Sequence, residues 1–325
     1  MMKNGKVFGL GLGAIAATAL LGVAVPVLAK DAPPPVKVEK PLAWQGINQV
    51  VIGQFTVAYF TKKVDYDGGG FLAASSKGKA IGHLKGVTNE QYQAITDAVY
   101  ADFTAQLAQH GVTIADDSGF RANKYYAKIK PEAQGNNVDV MLKKDDHADA
   151  LAFWPTALGR TTNALLAMRM MDMNMGNTYT AEYDYARNSG IPVLNVVYFV
   201  DFAKPAKSEM GGLLQSVKVA AGLAVSPFGT QMALMTKEGK LTKLLLQTPI
   251  EEGGDFATIN ETTSGATKAF QVASVLGSGI FGGKSAMMSA RFDYAVTDPA
   301  AYADRVKSAS SKTSDLFIRQ IEGLR

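Results

Sequence analysis

The apolar positions between Val50 and Ile114 change period twice, and the changes outline three elements. Val50, Val51, Ile52, Phe55, Val57, Tyr59 and Phe60 make a proline-free run rich in β-branched and aromatic residues, the composition of a strand covered on both faces. From Tyr92 the spacing becomes three or four: Tyr92, Ile95, Val99, Phe103 and Leu107 share one face of a helix, and Asp97, Asp102, Gln106 and Gln109 occupy the others. Thr88 and Gln91 have the separation of a capping box, in which each side chain satisfies a backbone N–H of the first turn. Gly111 suits the left-handed position that ends a helix, and Val112 to Ile114 reads as a short strand. The pattern predicts a β-α-β unit.

The rest of the chain supplies further strands and two more helical regions. Thr61 to Gly86 is rich in Gly, Ser, Lys and Asp and reads as a long loop or a hairpin with a wide turn. Asp117 or Ser118 caps a short helix carrying Phe120, Tyr125, Tyr126 and Ile129, ended by Pro131. Val138 to Leu142 and Ala150 to Trp154 are predicted strands on either side of the charged run Lys143 to His147. Residues 160 to 188 favour helix with an interruption at Gly176, and Ile191 to Phe202 is a second strand apolar on both faces. Ser216 to Val225 alternates strictly, and Met232 to Met235 is expected to pair with Leu241 to Leu246 across the turn Lys237 to Lys240. A Gly-, Thr- and Ser-rich stretch then precedes a strand from Met287 to Val296. Asp298 and Pro299 supply the N-cap and first position of a C-terminal helix. These elements predict an α/β (α+β) fold, a mixed β-sheet with flanking helices and a β-rich C-terminal half. The expected division is an α/β domain over 47–205 and a β-rich region with a C-terminal helix over 206–325.

The N-terminus sets the compartment. Lys3 and Lys6 precede an apolar run from Val7 to Val25, and Val27-Leu28-Ala29 fits signal-peptidase cleavage, so 1–29 reads as a signal peptide cut after Ala29. A retained membrane anchor is the alternative. Residues 30–46, with prolines at 33 to 35, are expected to form a Pro-rich, solvated tether. Both readings place the body outside the cytoplasm, in the periplasm or at the outer membrane. The absence of cysteine excludes disulfides, thiolate ligands and a lipidated N-terminal Cys. Subtracting the charges of Lys3 and Lys6 from the net +4 leaves +2, too balanced to argue for nucleic acid.

Candidate chemistry is sparse. Met168, Met170, Met171, Met173 and Met175 crowd together, and Met171, Met173 and Met175 alternate as thioether ligands for Cu(I) do; gap-filling in a core is the other use of such residues. His83, His110 and His147 are far apart in sequence and make no zinc motif. His147 lies among Asp145, Asp146 and Asp149, a spacing that matches no calcium loop. Ser278 to Ser285 resembles a phosphate-binding loop but has Ser278 where the first glycine is required, and Ser76-x-x-Lys79 lacks the partner motifs of serine enzymes of that type.

The strand Val50 to Phe60, the helical stretch Asp97 to Leu107 and Gly111-Val112-Thr113-Ile114 together resemble the α/β module of the curli-secretion channel family. The N-terminal domain of TolB and flagellar outer-membrane accessory proteins are similar in outline. The resemblance covers about 65 residues. This chain departs from the first family in lacking the lipidated cysteine and from TolB in lacking propeller repeats. The resemblance implies a non-enzymatic envelope component that assembles with itself or with other envelope proteins, and it carries over no functional residue and no cofactor. The competing expectations are a periplasmic soft-metal (Cu) or small-ligand carrier built on Met171, Met173 and Met175, and a hydrolase in which His110 or His147 meets a serine and a carboxylate only in space.

Overall fold

Among the described residues the first strand begins at Val36, within the stretch expected to be a proline-rich tether. The computed structural model describes residues 34–68, 77–129, 133–142, 147–159, 173–203, 207–211, 214–218, 221–264 and 288–324. Strand β1 (Val36–Val38) leads through a 3-10 turn at Pro41–Trp44 to β2 (Gln49–Gly68), β3 (Lys77–Lys85), helix α1 (Asn89–Gln109) and β4 (Thr113–Ile114). Helix α2 (Ser118–Arg121), a 3-10 turn at Tyr126–Lys128, β5 (Asn136–Met141), β6 (His147–Phe153), α3 (Met173–Ser189) and β7 (Val193–Ala203) follow. The last third holds β8 (Lys207–Gly211), β9 (Leu214–Lys218), β10 (Ala221–Val225), β11 (Gln231–Met235), β12 (Leu241–Leu246), β13 (Ile250–Glu252), β14 (Ala257–Glu261), β15 (Met288–Val296) and α4 (Pro299–Leu324).

The sheet is mixed, as the sequence predicts, with the order β1-β12-β11-β7-β2-β3-β15-β14 along its main path. β2 and β7 lie parallel at its centre, Val51 to Tyr59 against Val193 to Val200. They are the two segments whose apolar residues fill both faces, which suits strands covered on each side. β2 also pairs with β4, β6 and β3, so the expected hairpin with a wide turn is the β2–β3 pair, its turn residues 69–76 lying outside the described chain. Strands from 47–205 and from 206–325 are direct neighbours, β7 beside both β10 and β11. β8 and β9 form a separate hairpin, so the alternation from Ser216 to Val225 is divided between two strands of different sheets.

Helices α1 and α4 cover one face. The capping box is formed: Thr88 N–H donates to Gln91 Oε1 at 2.8 Å and Gln91 N–H to Thr88 Oγ1 at 3.3 Å. Gly111, at φ +70°, closes the other end, its N–H donating to Ala108 O and that of Val112 to Leu107 O. Asp298 Oδ1 accepts from Ala301 N–H at 3.0 Å as the cap of α4. Phe55 meets Tyr100, Phe103 and Tyr198 beneath these helices. Tyr59 reaches Thr96 on α1 and Tyr198 reaches Ser314 on α4, each through hydroxyls 2.9 Å apart. Alternation along β7 sends Val193 and Asn195 to the opposite face, where α2, α3 and the turn at Tyr126 build a smaller core from Val51, Phe120, Tyr126, Ile129, Ala181, Ala186, Val193 and Met235.

Two expectations are corrected. The tether does not extend to residue 46: Val36 to Val38 pair with Leu246 to Leu244, and Trp44 is fully buried with Nε1 donating to Thr242 Oγ1 at 3.1 Å. Val36 and Trp44 are apolar enough to outweigh the prolines before them. Gly176 does not interrupt its helix, which runs through it from Met173 to Ser189; a lone glycine costs a helix only about 1 kcal/mol.

Glycine positions give a paired test of this geometry. Gly53 is the extra residue where β2 shifts register against β7, and a Cβ there would lie 2.4 Å from Val193 Cγ1 and 2.7 Å from Asn195 Oδ1. Gly53→Ala is expected to destabilise by about 1–3 kcal/mol through overpacking of two stiff side chains. Gly176→Ala, with nothing within 4 Å of its added methyl, is expected to stabilise by about 0.5–1 kcal/mol. Urea unfolding of the two variants reads both signs.

Candidate functional site

Of the copper-site residues, Met171 lies outside the described residues, and Met173 and Met175 stand in the first turn of α3. A helix turns about 100° per residue, so positions two apart are about 200° apart around its axis, unlike the alternation of an extended copper motif. The histidines are dispersed over β3, the end of α1 and β6. His83 is held between Lys62 of β2 and Asp293 of β15 by strand register; partial burial pulls its pKa down, opposed by Asp293. His147 Nδ1 is 3.4 Å from Asp139 Oδ1, and Asp149 is engaged by Lys62 at 3.0 Å, so the charges around His147 are spent across strands; Asp145 and Asp146 lie outside the described residues. No group of three metal-ligating His, Asp or Glu side chains gathers among the described residues. The loop Ser278 to Ser285 and Ser76 also lie outside them.

His110 does meet a carboxylate. It sits in a groove of about 650 Å³ between α1 and α4, lined also by Asp102, Gln106, Ser311, Lys312 and Asp315. Its Nδ1 is 3.0 Å from Glu322 Oε2. Ser311 shares the groove, but its Oγ accepts from Gln106 Nε2 at 2.8 Å, an amide that takes no proton from it. The two halves of a serine-activation pair are thus present in one groove and differently engaged.

A buried acid on α3 has no signature in the residue pattern. Glu182 is 2% exposed and accepts from Asn195 Nδ2 at 2.9 Å. Burial pushes its carboxyl up to about 8, only partly offset by that hydrogen bond. Asn195, 4% exposed, is packed over the methyl-free Gly53, and its Oδ1 has no hydrogen-bond partner. Gln54 and Thr56 hydrogen-bond each other on the same buried stretch of β2, Nε2 to Oγ1 at 3.1 Å. Residues 181 to 187 read Ala-Glu-Tyr-Asp-Tyr-Ala-Arg, in which Glu182 and Asp184 look alike; only the packing of α3 separates them.

The second concave feature, about 450 Å³, lies at the end of the sheet where β2 and β7 begin. Because β1 stands at one edge and β2 four strands away, the connection between them crosses the ends of β12, β11 and β7, and residues 42 to 49 of that crossing form one wall. The opposite wall is Gly190 to Pro192 and the β11–β12 turn with Lys237, Glu238 and Lys240. Lys40 initiates the crossing in the left-handed region, φ 45° and ψ 62°, with its Nζ on Leu241 O at 3.1 Å. Buried Trp44 pins the other end, so Leu42 between them projects to 77% exposure. Among the described residues the exposed large apolar side chains are Leu42, Tyr179 and Ile114, and all three border this end. Tyr179 OH donates to Gly239 O at 3.2 Å in the β11–β12 turn, and Ile114 is registered against Val50 at the start of β2.

Compared with protein-family models, with curated proteins and with solved structures, the chain matches none.

The state of Glu182 predicts a pH dependence of stability. Its folded pKa, about 8, lies above the ordinary 4.5, so the native state holds a proton that the unfolded chain releases. The contribution is therefore full below about pH 4.5 and is lost as pH rises through about 8. The difference in unfolding free energy between wild type and Glu182→Gln, from urea titrations, is expected to change across that window by a few kcal/mol, with an upper bound of roughly 5; a difference that stays constant between pH 5 and 9 contradicts it.

Proposed function

We propose that this chain is an exported, non-enzymatic component of the cell envelope, periplasmic or outer-membrane associated, that docks another envelope protein or a second copy of itself at the end of its sheet. The observation that carries the reading is Leu42, an aliphatic side chain held out at the lip of a groove by a turn that begins in left-handed backbone and ends on a buried tryptophan. Left-handed geometry at a non-glycine residue costs on the order of 1–3 kcal/mol and persists where its surroundings fix it. Here Trp44 Nε1 and Thr242 Oγ1 do so, the threonine hydroxyl in turn donating to Glu39 O. Covering Leu42 returns about 1.5–3 kcal/mol, a contribution of the size that single anchors make at protein interfaces. The export signal read from residues 1–29 and the resemblance of the 65-residue sequence pattern to envelope assembly proteins support the same reading.

Leu42→Asp tests it. The side chain touches solvent, so thermal stability is expected to stay within about 0.5 kcal/mol of wild type. Self-association in sedimentation velocity, or photo-cross-links from position 45 to an envelope protein in intact cells, is expected to fall at least tenfold. Wild-type levels of both in the variant would remove the groove as the docking site, and a strictly monomeric wild-type protein without an envelope cross-link would remove the assembly reading itself.

A further inference from the structure

The helix that carries the buried acid also holds one wall of the groove in place. Tyr179 and Tyr183, one turn apart on α3, grip the β11–β12 turn: Tyr179 OH donates to Gly239 O, and the Tyr183 ring fills the place where a Cβ on Gly239 would stand, 2.9 Å from Cε2. Gly239, at φ +72°, can take no side chain without displacing that ring. The same helix runs directly into Gly190 to Pro192, the remaining part of that wall. Glu182 lies between the two tyrosines in sequence and is the residue by which α3 hydrogen-bonds to the central strand β7. We propose that Glu182 and Asn195 form a proton-operated latch: protonated, Glu182 lets α3 seat on the sheet and hold the β11–β12 turn; ionised, it forces α3 away and frees that wall of the groove. The proposal rests on the docking reading above and adds its control.

Among the described residues, burial and the Asn195 hydrogen bond set the state of Glu182, and no cation offsets them. From β7 it faces Asn195, flanked by Val193 and Val197, and from β2 Gly53, Gln54 and Thr56, none of which titrates. β11 brings Ala233 opposite Asn195, also neutral. From α2 and the turn after it come Arg121, Asp117 and Tyr126: Arg121 Nε donates to Asp117 Oδ2 at 2.9 Å, its Nη1 to Tyr126 OH and its Nη2 to Ile52 O at 3.4 Å. On α3 itself Asp184 accepts from Asn123 Nδ2 at 2.8 Å, Arg187 is exposed, and Tyr179 and Tyr183 face the turn bearing Lys237, Glu238 and Lys240. Among the contacts described, a carboxylate formed at Glu182 is answered by the neutral amide of Asn195, and no opposite charge offsets its burial.

Hydrogen exchange of the whole mature protein tests the latch at pH 6 and pH 9, with rates corrected for the intrinsic pH dependence of exchange. A carboxyl that titrates at about 8 with α3 seated and at the ordinary 4.5 once it is released shifts the opening equilibrium of α3 by roughly 100-fold between pH 6 and pH 9, and exchange is expected to rise by that order. The rise should be confined to amides 177–189 and 237–240, with α1 as the internal reference. Glu182→Gln, isosteric with the protonated acid, should exchange alike at both pH values; Glu182→Leu replaces it where the glutamine variant does not fold. No rise in wild type, or an equal rise in the uncharged variant, overturns the latch. Those outcomes leave the groove standing or not according to Leu42, since Leu42-dependent docking measured at pH 6 reports on the groove with the latch closed.

Discussion

The parallel pairing of β2 with β7 is the contact on which the rest of the molecule depends. Each strand is apolar on both faces, so neither can lie at an edge or face water, and together they demand a layer of helices above and below. α1 and α4 meet the upper demand, and α2 with α3 the lower one around Val51 and Val193. The aromatic residues that make these strands sticky also bring polar atoms inside. Burial pushes the Tyr59, Tyr92, Tyr198 and Tyr302 hydroxyls far above the ordinary range, so they act only as neutral hydrogen-bonding groups. Thr96 and Ser314, each polar at a helix position that faces the sheet, are there to receive them.

Much of this was written locally. The helix α1 is announced at both ends by residues whose bonds are made within the element itself, Thr88 with Gln91 and Gly111 with Ala108, so sequence spacing was sufficient to place it. The β11–β12 hairpin was legible for the same reason, its register Gln231 to Leu245 following from alternation around a short turn. What sequence did not carry was partnership at a distance. Val36 to Val38 looks like the end of a proline-rich linker until Leu244 to Leu246, some two hundred residues later, offers it an edge. Leu42 was hidden with it, because nothing in Pro-Leu-Ala-Trp says which apolar residue will be buried. Trp44 goes in because Thr242 waits for its indole N–H, and Leu42 stays out because Lys40 turns the chain the other way.

The position of the groove is itself informative. Ligands of open α/β sheets settle at the carboxyl ends of the parallel strands. In this molecule that end of β2 and β7 carries a buried ion pair, Lys63 Nζ to Asp201 Oδ2 at 2.7 Å with side chains 9% and 15% exposed, and Phe202 packs on Tyr294 beside it. Removing either partner of that pair would leave a buried charge, which makes it a poor site. The amino ends are left open because the β1–β2 crossing spans them with a turn instead of filling them. A turn pinned by Trp44 can hold Leu42 in water at a conformational cost that the fold meets whether or not a partner is present, and a partner that covers Leu42 then gains its apolar area without having to order the turn. The opposite wall is of the other kind: the β11–β12 turn is held by two tyrosines from a helix whose central contact is an acid in a place without a counter-charge. One wall is fixed by hydrophobic anchoring and the other depends on whether a single proton is bound, so the width of the groove is set on the side of α3.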